Sequence, residues 1–260
     1  MHIKSNKVMI GTITFDDKEY ILERFISRVK ELTYPNMEFV IIDTSENDDY
    51  FKRICELVGD FGIVIKDPYY EDTRENCCKA RNHLRQIFLD SDCEYLFHLE
   101  QDVIPRKDII EELIQWKKLA VGGWYYINQG YHTKRACVFK GFMPIEGPYD
   151  QKGKMMALQP YKYDLMGKER LFKCYLGSLG VTLIHRDLFE KIGIKFWWDR
   201  NLTWHDDVSF FHDLDVRGID YFIDTDLLVS HFQSNWAIEK FWNKINIRKA
   251  EQPLIQTEVN

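Results

Sequence analysis

An apolar run from Tyr95 to Leu99 ends in Glu100-Gln101-Asp102, and Pro105 follows shortly after. Tyr95, Phe97 and Leu99 alternate with Leu96 and His98, the period of a strand, and the proline stops any further ladder. Two carboxylates at the end of a buried strand are costly unless a cation or a hydrogen-bond network answers them. Glu100 and Asp102 therefore read as candidate metal ligands. Four further positions carry chemistry: Asp43 after the apolar run 37–42, Arg81-Asn82 inside a helical stretch, Asp206-Asp207 at the start of another, and His231 after the last apolar run. A positioned carboxylate serves as a general base, an imidazole suits a divalent ion of the Mn2+ type, and a guanidinium fork suits an anionic oxygen pair. Each position also has a plain structural reading. Asp43 and the acid pair are good turn or cap residues, Arg81 fits a solvated helix face, and His231 fits a core histidine.

The elements that must place these residues alternate. Residues 8–15, 37–43, 62–66 and 94–99 read as strands; 17–32, 50–58 and 73–89 read as helices between them. Short connections in a β-α-β-α-β-α-β series predict a parallel sheet covered by helices on both faces. The polar residues at the strand ends then meet at one edge, where such sheets bind ligands. A helix is expected over 107–118 and a strand over 120–127. The pattern loosens over 128–176, where Gly141, Pro144, Gly147, Pro148, Gly153 and Pro160 interrupt it; short strands and a long loop acting as a lid are expected there. A strand at 180–185, a short helix at 187–192, a helix at 206–216 and strand pieces at 221–223 and 227–229 follow. The expected organisation is one α/β domain over 1–235, then an amphipathic helix and tail over 236–260, with Ile238, Phe241, Trp242 and Ile245 at helical spacing.

Composition excludes several classes. The 260 residues are 45% hydrophobic with a net charge of −6, ample for a packed core and without the basic blocks of a nucleic-acid binder. The six cysteines form no C-x-x-C pair, which argues against a zinc site or a disulfide scaffold. No apolar run approaches a membrane span, and no cationic start precedes one. A reducing, cytoplasmic setting is expected, and the basic, amphipathic segment 236–249 either packs on the domain or meets a membrane surface.

Taken in order, the motifs resemble those of family 2 glycosyltransferases with the GT-A nucleotide-sugar-binding fold. Ala80-Arg81-Asn82 resembles that family's A-R-N, and Glu100-Gln101-Asp102 its D-x-D. The segment from Gly177 to Gly193, with Leu183-Ile184-His185-Arg186 and Phe189, resembles its L-I-x-R-x-x-F-x-x-I-G stretch, and His205 to Phe210 resembles E-D-V-D-F. The likeness covers about 8–103 and 176–232. It implies a mixed, mostly parallel, Rossmann-like sheet and transfer of a sugar from a UDP- or GDP-type donor to a glycan, lipid-linked or other hydroxyl acceptor. By this resemblance, Mn2+ or Mg2+ is held by Asp102 and His231 with Glu100 as a third ligand. Thr12, Thr14, Phe15, Asp43, Arg81, Asn82 and Gln101 contact the donor, Trp204 and Ser178 the acceptor, and Asp207, with Asp206 as the fallback, acts as base with inversion.

The chain departs from the family where D-D-G-S is replaced by Asp43-Thr44-Ser45-Glu46, where Glu100 opens the D-x-D, where Asn76 replaces a glycine, and where Asp206 shortens the first acid of E-D. A retaining transferase on the same fold and a non-catalytic nucleotide-sugar binder are the alternatives. A nucleotidyltransferase is disfavoured, because residues 11–15 hold one glycine and no basic residue.

Overall fold

The computed structural model describes residues 6–128, 134–145, 155–160, 169–201 and 205–232. Segment 236–249 and the tail that follows it lie outside them. Among the described residues the strands are β1 (Val8–Thr14), β2 (Met37–Asp43), β3 (Ile63–Lys66), β4 (Tyr95–Leu99), β5 (Val103–Ile104), β6 (Ala120–Trp124), β7 (Tyr126–Asn128), β8 (Lys134–Ala136), β9 (Phe139–Ile145), β10 (Met155–Pro160), β11 (Leu171–Cys174), β12 (Val181–His185), β13 (Tyr221–Leu228) and β14 (Ser230–His231). The helices are α1 (Leu22–Lys30), α2 (Asp48–Val58), α3 (Thr73–Asp90), α4 (Ile109–Ile114), α5 (Asp187–Glu190) and α6 (Asp206–Val216), with a 3-10 turn over Asp16–Ile21. No helix here is long and apolar enough to cross a membrane.

Eight strands form one sheet in the order β11-β13-β6-β12-β4-β1-β2-β3. β1, β2, β3 and β4 run parallel, β12 is antiparallel between β4 and β6, and β11 closes one edge antiparallel to β13. The order reverses between β1 and β4, so their carboxyl ends flank the crevice that ligands enter in such sheets. Strand alternation builds two cores. Val8, Ile10, Phe39, Ile41 and Phe97 face α1, α2 and α4; Met9, Val40, Ile42 and Leu96 face α3, α5 and α6. This is the expected mixed sheet covered on both faces.

Two expectations about elements are corrected, and the short strands expected within 128–176 are present. Residues 16–21 form a 3-10 turn instead of the first turns of an α-helix, because Gln101 Nε2 donates to the Lys18 carbonyl (2.9 Å) and the Leu22 amide turns to Glu19. Residues 221–228 form one strand, not two pieces: Asp224 in its middle is fully buried and answered by Arg170 and by Trp116 Nε1 (2.9 Å). Within 128–176, residues 171–174 belong to the central sheet, and β7–β8 and β9–β10 are antiparallel pairs.

Helix α3 lies close on β1 because Gly11 has no side chain; a Cβ there would come within 2.7–2.9 Å of Leu84 and Leu96 methyl carbons. Leu84 is fully buried in this contact. Leu84→Ala is expected to lower unfolding free energy by about 2–5 kcal/mol in urea titration, through lost burial plus a cavity; a loss under ~1 kcal/mol would contradict this packing.

Candidate active site

The site is built on Arg81. Helix α3 carries it under the carboxyl end of β4, where it is 6% exposed. One guanidinium nitrogen donates to Asp206 Oδ1 (2.5 Å), the other to Glu100 Oε1 (2.9 Å), and Nε donates to His98 Nε2 (3.3 Å). His98 Nδ1 lies 3.0 Å from the Leu179 carbonyl. A carbonyl only accepts, so the ring carries its proton on Nδ1 and accepts from Arg81 at Nε2. Burial first, and Arg81 second, push the His98 pKa down to about 3; the ring is neutral. Burial opposes the charge on Arg81, but Asp206 and then Glu100 more than offset it. Asp206 is itself fully buried. Burial raises its pKa, Arg81 opposes the rise, and Asp207 adds to it. Glu100 is raised in the same way, by burial and then by Asp102, against Arg81.

The same guanidinium therefore joins the end of β4 to the start of α6. Asp206 faces inward onto Arg81, while Asp207 lines a cleft of about 200 Å³ with Phe15, Lys18, Arg81, Glu100 and Asp102. Asp207 Oδ1 accepts from the Val208 amide (2.7 Å), which fixes the carboxylate at the helix N-terminus. Gly180 lets Glu100 sit where it does, since a Cβ there would lie 2.7 Å from Glu100 Oε2.

Asp102 and His231 meet because β14 pairs antiparallel with β5, setting His231 opposite Val103. His231 Nε2 is 3.4 Å from Asp102 Oδ2. Its Nδ1 is 3.4 Å from the Tyr126 carbonyl, and its ring packs on Tyr125 at 4.4 Å. Lys18 Nζ also pairs with Asp102 Oδ2. Burial acts to raise the Asp102 pKa, but His231 and Lys18 outweigh it and hold the carboxyl low. Asp102 Oδ1 is buried with no hydrogen-bond partner among the described residues.

These donors fit a divalent cation. A buried carboxylate oxygen lacks a partner, and an imidazole nitrogen faces the same carboxylate, its other nitrogen fixed by a backbone carbonyl, the usual second contact of a ligating histidine. Formally, Glu100, Asp102, Asp206 and Asp207 are set against Lys18 and Arg81.

The other residues expected at the site divide. Phe15 lines this cleft and a neighbouring cavity of about 360 Å³ shared with Ser45, Tyr69 and Asn76. Thr14 also lines the cleft, and its hydroxyl lies 2.8 Å from Tyr50 OH, which donates to Gln101 Oε1 (2.9 Å). Gln101 lines the cleft as well and holds the 16–21 turn. Asp43 is fully buried, with Oδ1 accepting from Ser45 N and Oγ and Oδ2 from Lys66 Nζ (2.8 Å). Asn82 bonds the Phe196 main chain through both amide atoms. Thr12 and Ser178 are buried, and neither lines the cleft. Trp204 lies outside the described residues. Lys18, His98, Tyr50 and Tyr125 are site residues the sequence did not single out. His98 alone carried a signal, a polar residue inside an apolar strand.

No family model and no curated protein matches the chain. Solved structures do match in fold. TarS of S. aureus, residues 1–349, aligns with a TM-score of 0.54 and 14% identity over 95% of this chain. A mannosyltransferase from Pyrobaculum calidifontis, in complex with GDP-Man and Mn2+, aligns at 0.54 and 13% over 86%. GalNAc-T7, with UDP, GalNAc and Mn2+, aligns at 0.57 and 12% over 88%. The chain spans 66%, 56% and 44% of these three chains. With its eight-stranded sheet and its likeness to these structures, the chain has the GT-A fold, a Rossmann-like α/β architecture.

Proposed function

We propose that this chain is a metal-dependent glycosyltransferase that moves a sugar from a nucleotide-diphosphate donor to an acceptor hydroxyl with inversion. The observation that carries the reading is the juxtaposition in one cleft of Asp102, with its unpartnered Oδ1 and His231 alongside, and Asp207, a carboxylate free to face an acceptor. The fold's likeness to proteins solved with GDP-Man, UDP and Mn2+ supports it.

Asp102 and His231 would hold the ion, Mn2+ or Mg2+. When bound, it neutralises charge on the leaving diphosphate. Asp207 takes the proton of the acceptor hydroxyl as its oxygen attacks the anomeric carbon and the bond to the diphosphate breaks on the opposite face. Asp206 is held for a different task, since its Oδ1 anchors Arg81. Arg81 and Glu100 fix the floor on which Asp102 and Asp207 stand apart. Phe15 packs near the base, and the 360 Å³ cavity is where the base and ribose lie. The acceptor, glycan or otherwise, enters from the Asp207 side.

Three outcomes follow. In a thermal-shift panel, UDP or GDP with Mn2+ raises the melting temperature by mass action, and Asp102→Asn removes the metal-dependent part of the rise; no metal-dependent shift with any nucleotide diphosphate would sink the reading. Asp207→Asn lowers kcat by about 10²–10⁴-fold with nucleotide binding kept, whereas Asp206→Asn lowers stability, because it leaves Arg81 buried with its closest anion gone; equal kinetic loss with equal stability would contradict the division of labour. The third concerns pH. The folded pKa of His98 near 3 lies below the ordinary ~6.5, so the unfolded chain takes up a proton that the folded chain excludes. Stability is full above about pH 6.5 and falls toward pH 3, on the order of 5 kcal/mol from this group. In pH-dependent urea unfolding, His98→Gln flattens that window; parallel profiles for the two proteins would contradict a neutral buried His98.

A further inference from the structure

We propose that Lys18 is a built-in counter-cation which a divalent ion displaces from Asp102, and which then pairs with the donor's diphosphate. The inference rests on the metal-dependent reading above. Lys18 Nζ contacts Asp102 Oδ2, the oxygen that also faces His231 Nε2. It thus stands beside the place where the ion would be held.

The main chain at Lys18 is fixed by the protein, while its ammonium is held only by Asp102 among the side-chain pairings of the described residues. The Lys18 amide donates to the Phe15 carbonyl (2.9 Å), and its carbonyl accepts from Gln101 Nε2 (2.9 Å). Tyr20 OH donates to the Phe232 carbonyl, and Arg24 lies over the Phe232 ring at 4.3 Å, so the turn is also tied to the strand that carries His231. The Lys18 side chain is 22% exposed and lines the cleft with Phe15 and Asp207. A four-carbon stem on a fixed backbone can swing its ammonium without moving the turn.

A divalent ion on Asp102, at the unpartnered Oδ1 or at the Oδ2 that faces His231, would stand close to the Lys18 ammonium, and two cations on one buried carboxylate repel. Glu100 is not a free berth, since its Oε1 is held by Arg81 (2.9 Å) and its Oε2 accepts from Tyr125 OH (3.5 Å). A diphosphate does offer one, because it brings fresh anionic oxygens to the same cleft. Lys18 then opposes metal binding to the nucleotide-free protein and favours it once a nucleotide is present. Metal and donor bind cooperatively, and the reciprocity of linkage makes the effect equal from either side.

The test is Mn2+ binding to the full chain, read by calorimetry and by the loss of the free-ion electron paramagnetic resonance signal, with and without UDP or GDP. Lys18→Met is expected to tighten Mn2+ binding to the nucleotide-free protein about tenfold or more and to weaken nucleotide binding at saturating Mn2+ by a similar factor. Lys18→Arg, which keeps the charge, is expected to stay near wild type in the nucleotide-free arm, and its folding serves as the control should Lys18→Met prove unstable. Unchanged or weaker Mn2+ binding in Lys18→Met, or nucleotide-free tightening in Lys18→Arg equal to that in Lys18→Met, would overturn the inference while wild type still binds Mn2+ with nucleotide. A wild-type protein that binds neither would overturn this inference and the functional reading together.

Discussion

The structure depends on one buried guanidinium. Arg81 bonds Asp206, Glu100 and His98 together, and each partner sits on a different element or strand position. Without it, two buried carboxylates would meet with no compensating charge, a cost of several kcal/mol. With it, the N-terminus of α6 is drawn against the end of β4. The consequence is geometric. Asp206 is turned inward, its Oδ1 on Arg81, and the next residue, Asp207, lines the cleft. The adjacent acids therefore differ by environment, one buried on Arg81 and one open to the cleft. The neutral His98 is part of the same arrangement, since a protonated ring could not accept from Arg81.

A second arrangement lies on the other side of Glu100. The β5–β14 pair brings residues about 130 positions apart in the chain to adjacent sites, so that Asp102 and His231 form a small anionic and imidazole pocket. Lys18 reaches into it from the 3-10 turn. The hydrogen-bond chain Thr14, Tyr50, Gln101 to the Lys18 carbonyl makes that turn part of the site. Gln101, the middle residue of the acidic motif, thereby shapes the cleft from the protein side. Asp43 works similarly at the other end, where Ser45 and Lys66 take its oxygens.

Much of the fold could be read from the residues, and the reasons for the rest are physical. β2 and α6 fall where the apolar periodicity and the first-turn acids put them, because there local preference and tertiary packing agree. The 3-10 turn at 16–21 could not be read, because a side chain remote in sequence takes one of its carbonyls. β13 was split in the sequence by Asp224, whose burial is made tolerable only by Arg170 and Trp116, residues distant in the chain. β11 was hidden because its partner lies some fifty residues later. At the site, acids at element ends were legible by type and order; Asp102 meets His231 because β14 pairs with β5, just after Asp102, and not beside the fourth strand itself. The choice of Asp207 over Asp206 rested on the resemblance and not on the residues themselves, and that Lys18 sits on Asp102 was not legible: both depend on side-chain pairings across the fold.

The claim at the centre of this account is that Asp102 and His231 hold an ion that also touches the donor's phosphates. Pulsed electron paramagnetic resonance of the protein with Mn2+ and a nucleotide diphosphate addresses it directly. The account predicts an imidazole-nitrogen coupling and a phosphorus coupling on the same Mn2+ ion, with the nitrogen coupling lost in His231→Gln. A phosphorus coupling without any protein nitrogen, or a nitrogen coupling that survives in His231→Gln, would contradict it.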